Sequence, residues 1–210
     1  MSITEDLAGA ELDKRGAQVR LRMSELVLKS RDITPLRDWY GLLLGRDPFL
    51  ERQPAPDADK SKVDGQERAS DVRLAFFTVH EGEHPYNQIL ALFEVGDLAV
   101  DPTGPGMHHF QFMLGSLNEL AAKFEQFSAH GIRPHRCANH GPITSFYYRD
   151  PDRNIIELSC ANFDSYEAEQ VYFKSEKFRR NPSGVELEPD DFITRFRANE
   201  PLETLLAIPD

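Results

Sequence analysis

The sequence predicts an α+β fold. Two β-α-β-β-β modules would pair into a half-open, cup-like sheet around one site, beneath a helical C-terminal cover. Two observations carry this prediction. The order of predicted strands and helices repeats about 85 residues further on, which indicates an internal duplication. The first and last strands of the halves also match, "ELVLKS" with "HFQFML" and "QILAL" with "NIIEL".

The first half begins with a strand, "LRMSELVLKS", because apolar residues run through its centre. The segment "DITPLRDWYGLLLG" predicts a helix with Asp32 as its N-cap and Gly45 as its stop. "RDPFLE" suits a short strand, and the charged, proline-containing stretch 52–70 predicts an exposed loop. "DVRLAFFTV" and "NQILALFEV" then predict a β-hairpin.

The second half repeats that order. "MHHFQFML" predicts a strand, "SLNELAAKFEQFSAHG" a helix capped by Ser116 and stopped by Gly131, and "IRPHRCA", "TSFYYRD" and "NIIELSC" three further strands. The chain is therefore divided into an N-terminal arm at 1–20, a paired-module domain at 21–163 and a C-terminal cover at 164–210. The two modules of the domain are 21–98 and 105–163. Helical stretches in the cover are interrupted by "RRNPSGVELEPDD".

Composition narrows the function classes. The 210 residues carry a net charge of -11, which disfavours nucleic acid and anionic membranes as partners, so a small molecule is the expected ligand. No run of about 18 apolar residues and no secretory signal pattern is evident, so a cytoplasmic protein is expected. The two cysteines lack metal-binding spacing and predict buried, inert thiols.

The duplicated unit, opened by "HHFQF" in the second half and closed by "SFYYRDPDRNIIEL", resembles the vicinal oxygen chelate superfamily of glyoxalases, bleomycin-resistance proteins and extradiol dioxygenases. The resemblance covers about residues 21–163. Within it, "NHGPITSFYYRDPDRNIIELSCANFDS" and the later "NPSGVELEP" are similar to single-domain, catechol-type extradiol dioxygenases related to biphenyl-2,3-diol dioxygenase. The resemblance implies a metal-dependent enzyme that acts on an aromatic diol or phenol.

In that family two histidines and one glutamate hold a divalent iron ion. The resemblance implies that His109 and Glu157 are two of the ligands, with Fe(II) the expected metal and Mn(II) or another divalent metal as alternatives. Glu25 stands where the family has its other histidine ligand, and it aligns with His109 when the halves are superposed. Without a metal, His109 and Glu157 could form a buried pair, and Glu25 could face solvent or act as a general acid or base.

Three further residues are candidates for contacts with substrate. Tyr147 matches the family tyrosine that hydrogen-bonds a substrate oxygen, and His140 matches a loop histidine that faces the cavity. Gln88 stands where the family has its acid/base histidine. His108 is expected on the opposite face of its strand from His109, in a structural role.

These residues leave three functions open. The first is a ring-cleaving dioxygenase, and the second is a repurposed isomerase, cyclase or lyase that acts on a phenolic or polyketide-like substrate. The third is a non-catalytic protein that binds an aromatic compound. The expected partner is a small aromatic molecule, and a homodimer is possible.

Overall fold

The computed structural model describes residues 22–54, 68–82, 87–96, 98 and 106–208. The first module contains β1 Glu25–Ser30, α1 Ile33–Leu44, β2 Leu50–Arg52, β3 Leu74–His80 and β4 Gln88–Glu94. The second contains β5 Phe110–Leu114, α2 Leu117–Ala129, β6 Arg136–Asn139, β7 Ile143–Arg149 and β8 Ile155–Ala161. The predicted N-terminal arm and most of the predicted 52–70 loop lie outside the described residues.

Two open sheets confirm the predicted α+β fold. Their strand orders are β1-β4-β3-β2 and β5-β8-β7-β6-β9, where β9 is Val185–Glu186. In each module the first and last strands pair in parallel, and the remaining neighbours pair antiparallel. The equivalent pairing in both sheets is what a duplicated β-α-β-β-β unit requires. The domain boundaries proposed from the sequence stay predictions.

The helix ends agree with their sequence signals. The Asp32 side chain accepts a hydrogen bond from the backbone N–H of Thr34, and Ser116 accepts one from Glu119, so each satisfies a free donor of the first turn. Gly45 ends α1 with a φ of 67°, in the left-handed region that glycine tolerates best.

Both modules share one hydrophobic core, with the helices in contact. Trp39 on α1 packs edge-on against Phe127 on α2 at a centroid distance of 5.5 Å. The Tyr40 hydroxyl donates to the buried carboxylate of Asp150, in the second module, at 2.8 Å. Burying these large side chains from both modules stabilises them as one unit.

Strands of both sheets alternate between this core and an open face. On β1, Leu28 belongs to the core, whereas Val27 points the other way and is 41% exposed. On β8, Ile156 and Leu158 belong to the core, so Glu157 between them lies on the open face of the second sheet. Side chains on the open faces are therefore the ones that could contact a ligand, because they are not packed in the core.

Two differences from the sequence prediction concern β6 and the C-terminal cover. Strand β6 starts at Arg136 rather than near Ile132, because Pro134 lacks an N–H for sheet pairing. The C-terminal cover adds β9 to the second sheet as well as its helices, α3 Tyr166–Phe173, α4 Glu176–Arg180, α5 Pro189–Arg197 and α6 Leu202–Leu205.

The cysteines are buried and free, as predicted, and burial raises the pKa of both thiols to about 12. In the described part of the chain no helix is both long enough and apolar enough to cross a membrane.

Candidate active site

The open face of the second sheet carries a row of polar side chains across three neighbouring strands. Tyr147 on β7 lies opposite Glu157 on β8 and Arg136 on β6 in the antiparallel register. Residues that pair directly in a sheet project to the same face, so the register alone places these three side chains together.

Glu157 is the centre of this row. Its side chain is 5% exposed, and its carboxylate accepts hydrogen bonds from Tyr147 at 3.0 Å and from the Ser159 hydroxyl at 3.1 Å. Its other oxygen, Oε2, lies 2.9 Å from Nε2 of His109. A buried carboxylate is costly unless such partners compensate it, and here they come from β7, from β8 and from the segment before β5.

Tyr147 connects Glu157 to His140. Nε2 of His140 lies 2.9 Å from the Tyr147 hydroxyl oxygen, and because that hydroxyl donates its one proton to Glu157, His140 donates to Tyr147 in this arrangement. Burial, followed by the charge of Glu157 and its hydrogen bond, raises the pKa of Tyr147 to about 12. The phenol therefore stays protonated at neutral pH.

His108 contacts His109, so the expectation that it faces the opposite side is wrong. The two Nδ1 atoms are 2.6 Å apart, and the ring centroids are 4.9 Å apart. Both residues precede the start of β5 at Phe110, where strand alternation does not yet apply. One Nδ1 must donate and the other accept, so His108 restricts the tautomer of His109.

Two other neighbours were missed by the sequence analysis. The Arg136 guanidinium lies over the Tyr147 ring at 5.2 Å and forms an ion pair with Glu186 of β9 at 2.7 Å. No sequence signal pointed to Glu186, because β9 was not expected to join the sheet.

Glu25 and Gln88 line a cleft of about 160 Å³ together with Phe110, Gln111 and Phe112 of the second module. Gln111 pairs directly with Glu157 in the sheet register. Glu25 is exposed at the start of β1, and Gln88 is exposed at the start of β4. The structure thus brings together His109, Glu157, Tyr147 and His140 by direct contacts, and the side chain of Gln88 donates to the backbone carbonyl of Met23.

The site contains two side chains that could coordinate a divalent metal ion, which is fewer than a complete ligand set. His109 Nε2 and Glu157 Oε2 face each other and are the donor types that Fe(II) and Mn(II) accept. Among the residues that the structure describes, however, no group of three or more His, Cys, Asp or Glu side chains could hold a metal ion. Glu25 as a third ligand stays a prediction.

Comparison with known proteins identifies the family. The model of the Glyoxalase/Bleomycin resistance protein/Dioxygenase superfamily matches residues 22–158, and the chain belongs to this superfamily. The two sheets and their module order are the fold of such domains.

Two curated relatives come from Rhodococcus globerulus. Biphenyl-2,3-diol 1,2-dioxygenase 2 is 26% identical over 187 residues, covering 88% of this chain and 86% of the relative. Biphenyl-2,3-diol 1,2-dioxygenase 3 is 28% identical over 183 residues, covering 86% of this chain and 84% of the relative.

Solved structures show likeness of fold. A glyoxylase/bleomycin resistance protein/dioxygenase domain from Frankia sp. EAN1pec has a TM-score of 0.52 at 18% identity, covering 68% of this chain and 99% of its own. A mutant of the fosfomycin resistance protein FosX from Listeria monocytogenes, solved with Mn(II) and 1S,2S-dihydroxypropylphosphonic acid, has a TM-score of 0.50 at 14% identity, covering 72% of this chain and 99% of its own.

Proposed function

We propose that this chain is a metal-dependent enzyme that acts on an aromatic diol or a related phenol, in the manner of an extradiol ring-cleaving dioxygenase. The observation that carries the proposal is the connected group His109, Glu157, Tyr147 and His140. It occurs in a chain that is similar to two biphenyl-2,3-diol dioxygenases over most of its length.

In this proposal His109 and Glu157 hold a divalent iron ion. When bound, such an ion supplies coordination of the diol oxygens and of dioxygen. The carboxylate of Glu157 stays in place because Tyr147 and Ser159 both donate to it. With Nε2 on the metal, His109 would carry its proton on Nδ1 and donate it to Nδ1 of His108.

The other residues act on the substrate directly. The Tyr147 hydroxyl stays protonated at neutral pH and donates its proton to Glu157, so its oxygen accepts a hydrogen bond from a phenolic O–H of the substrate. His140 receives the proton that the diol releases at Nδ1, because its Nε2 already carries the proton that it donates to Tyr147. Arg136 keeps positive charge beside the Tyr147 ring and stabilises a phenolate that approaches it.

A second candidate is chemistry without oxygenation, such as isomerisation, cyclisation or a lyase reaction on a phenolic substrate. The specific observation that favours it is the placement of Glu25 and Gln88, which stand where the resembling dioxygenases have two histidines. An enolate formed in such a reaction would need electrostatic stabilisation but no oxidant.

One experiment separates these functions. The purified protein is loaded anaerobically with Fe(II), its bound metal is measured, and it is then exposed to air with catechol and with 2,3-dihydroxybiphenyl. The dioxygenase proposal expects stoichiometric metal and yellow ring-opened products. Bound metal and substrate with no oxygen uptake would favour the second candidate, and substrate binding that is indifferent to metal would favour a binding protein.

A further inference from the structure

Residues 139–143, called the His140 loop below, join β6 to β7 and carry His140 beside the site. Apart from the contact of its ring with Tyr147, His140 donates its backbone N–H to the carbonyl of Ile143 at 2.9 Å. The loop is short, so a displacement of its backbone moves the imidazole away from Tyr147. What holds the loop therefore controls where the imidazole lies.

The first restraint is an aromatic ring of the C-terminal segment, defined here as residues 163–208. Gly141 has a φ of 95°, and a Cβ added there would lie 2.2 Å from Cε1 of Tyr172 on α3. Only glycine allows this ring to lie so close to the loop backbone. The Tyr172 ring also contacts Phe163 and Phe178 at centroid distances of 5.6 and 6.1 Å.

The second restraint is a backbone contact. Gly184 has a φ of 74°, and a Cβ added there would lie 2.0 Å from the carbonyl oxygen of Asn139 and 2.6 Å from Cα of His140. Gly184 directly precedes β9, where Val185 pairs with Asn139. The backbone of the C-terminal segment thus packs directly against the backbone of His140.

The third restraint is a buried amide. The side chain of Asn139 donates to the backbone carbonyl of Leu206 at 2.9 Å. Its oxygen accepts from the N–H of Gly141 at 2.8 Å and from the side-chain amide of Asn162 at 3.0 Å. Asn139 is 1% exposed, so these bonds form away from competing water.

These restraints come from separate parts of the C-terminal segment and converge on one loop. That segment lies beyond residue 158, where the family match ends. We propose that the C-terminal segment is a positioning element of the site, and that Tyr172 and Gly184 are positioning residues that hold His140 against Tyr147. The inference rests on the proposed function for the role of His140 in turnover, but not for its position.

Tyr172 gives the clearest test because it is half-buried and α3 buries none of its residues fully. Tyr172→Ala removes the ring that covers Gly141, whereas Tyr172→Phe keeps it. Val171→Ala is the matched control, since Val171 is the preceding residue on α3 and is 72% exposed. Thermal unfolding of all three variants reports whether the fold survives.

The first measurement needs no substrate turnover. NMR signals of the His140 ring nitrogens, assigned with a His140→Gln variant, are compared in the metal-free proteins. We expect Tyr172→Ala to move these signals while the signals of the distant His130 stay unchanged, and Tyr172→Phe and Val171→Ala to match the unsubstituted protein.

The second measurement is turnover of catechol by the iron-loaded protein. A displaced imidazole slows the reaction, so Tyr172→Ala is expected to lower kcat on the order of tenfold. Tyr172→Phe keeps the ring and is expected to retain the kcat of the unsubstituted protein. In Gly184→Ala the added Cβ would displace the backbone of Asn139 and His140, so we expect shifted His140 NMR signals and a lower kcat for this variant too.

The outcomes separate the two proposals. An unsubstituted protein that neither binds metal nor turns over catechol would contradict the proposed function, and the NMR comparison would still decide the position of His140. If Tyr172→Ala and a folded Gly184→Ala both left the His140 signals unchanged, the positioning role would be overturned, whatever the activity.

Discussion

In the first sheet, several side chains that face away from the shared core are apolar, among them Val27, Phe76 and Phe93. The two phenylalanine rings stack at 6.2 Å. In the second sheet, the same face carries the hydrogen-bonded side chains of Tyr147 and Glu157. The strand orders and the parallel pairing of first and last strands are equivalent in both, so the backbone does not cause the difference.

One pair of equivalent positions illustrates what the difference teaches. Ala91 on β4 and Glu157 on β8 are both buried and both absent from the shared core. A buried alanine needs no partner, whereas a buried carboxylate requires donors, and the second module supplies them from Tyr147, Ser159 and His109. Duplication kept the core-facing positions apolar and left the open faces free to diverge.

The largest expected effect tests whether the site belongs to the second module. Glu157→Gln keeps the side-chain shape but removes the charge, and we expect kcat/KM and metal affinity to fall on the order of 10³-fold. Glu25→Gln is the paired variant in the first module, and because Glu25 is exposed we expect a change below about fivefold. Metal titration and catechol kinetics measure both. Equal losses would show that the first module supplies a ligand.

The next effect concerns the phenol between Glu157 and His140. Tyr147→Phe removes a hydrogen bond to a carboxylate, which is worth roughly 1.5–3 kcal/mol, so we expect catechol turnover to fall roughly 10- to 100-fold. Because the Tyr147 pKa is raised to about 12, the unsubstituted protein should show no tyrosine ionisation in its rate profile between about pH 6 and 9. An ionisation in that range that Tyr147→Phe abolishes would contradict this assignment.

A smaller effect tests the link between the modules. Tyr40→Phe removes the hydroxyl that donates to Asp150, and we expect the free energy of unfolding to fall by about 1–3 kcal/mol at pH 7. Burial raises the pKa of Asp150 above its usual 3.8, so the favourable contribution of this carboxyl is present below that value and is lost as pH rises through the folded pKa. The Tyr40 hydroxyl lowers that pKa by stabilising the charged form.

The loss caused by Tyr40→Phe should therefore be larger at pH 7 than below about pH 3.8. Urea unfolding at both pH values measures it. An equal loss at both would mean that the hydroxyl does not act on the Asp150 charge.

The smallest expected effect is on stability and concerns Tyr148, the neighbour of Tyr147 that faces the core. The Tyr148 hydroxyl is buried and has no hydrogen-bond partner among the described residues, and burial raises the pKa of its phenol. Tyr148→Phe removes an unsatisfied group, so we expect a gain in stability of about 1 kcal/mol and unchanged turnover. Thermal unfolding checks the gain. A loss of stability would indicate that the hydroxyl has a partner in solution.

The family resemblance supplied the candidates of the second-module site, His109, Glu157, Tyr147 and His140. The register of β7 with β8 then places Tyr147 and Glu157 on one face of the sheet. His108 was mispredicted because it precedes the strand, where alternation does not hold. Glu186 was missed because a two-residue strand has no periodicity to detect.

Glu25 shows where superposition of the halves stops being informative. Its equivalence to His109 follows from the duplication, but equivalence of position in two modules does not specify the distance between them. That distance depends on contacts such as Trp39 with Phe127 and Tyr40 with Asp150, which join residues far apart in the chain.

The sequence by itself determined the local elements of this protein, because caps, turns and apolar periodicity act over a few residues. The tertiary structure alone decided that both modules share one core, that Glu25 and Gln88 line a cleft together with residues of β5, and that Tyr172 and Gly184 pack against the His140 loop. These features depend on long-range packing, in which many small contacts of distant residues compete, and no short stretch of sequence encodes that balance.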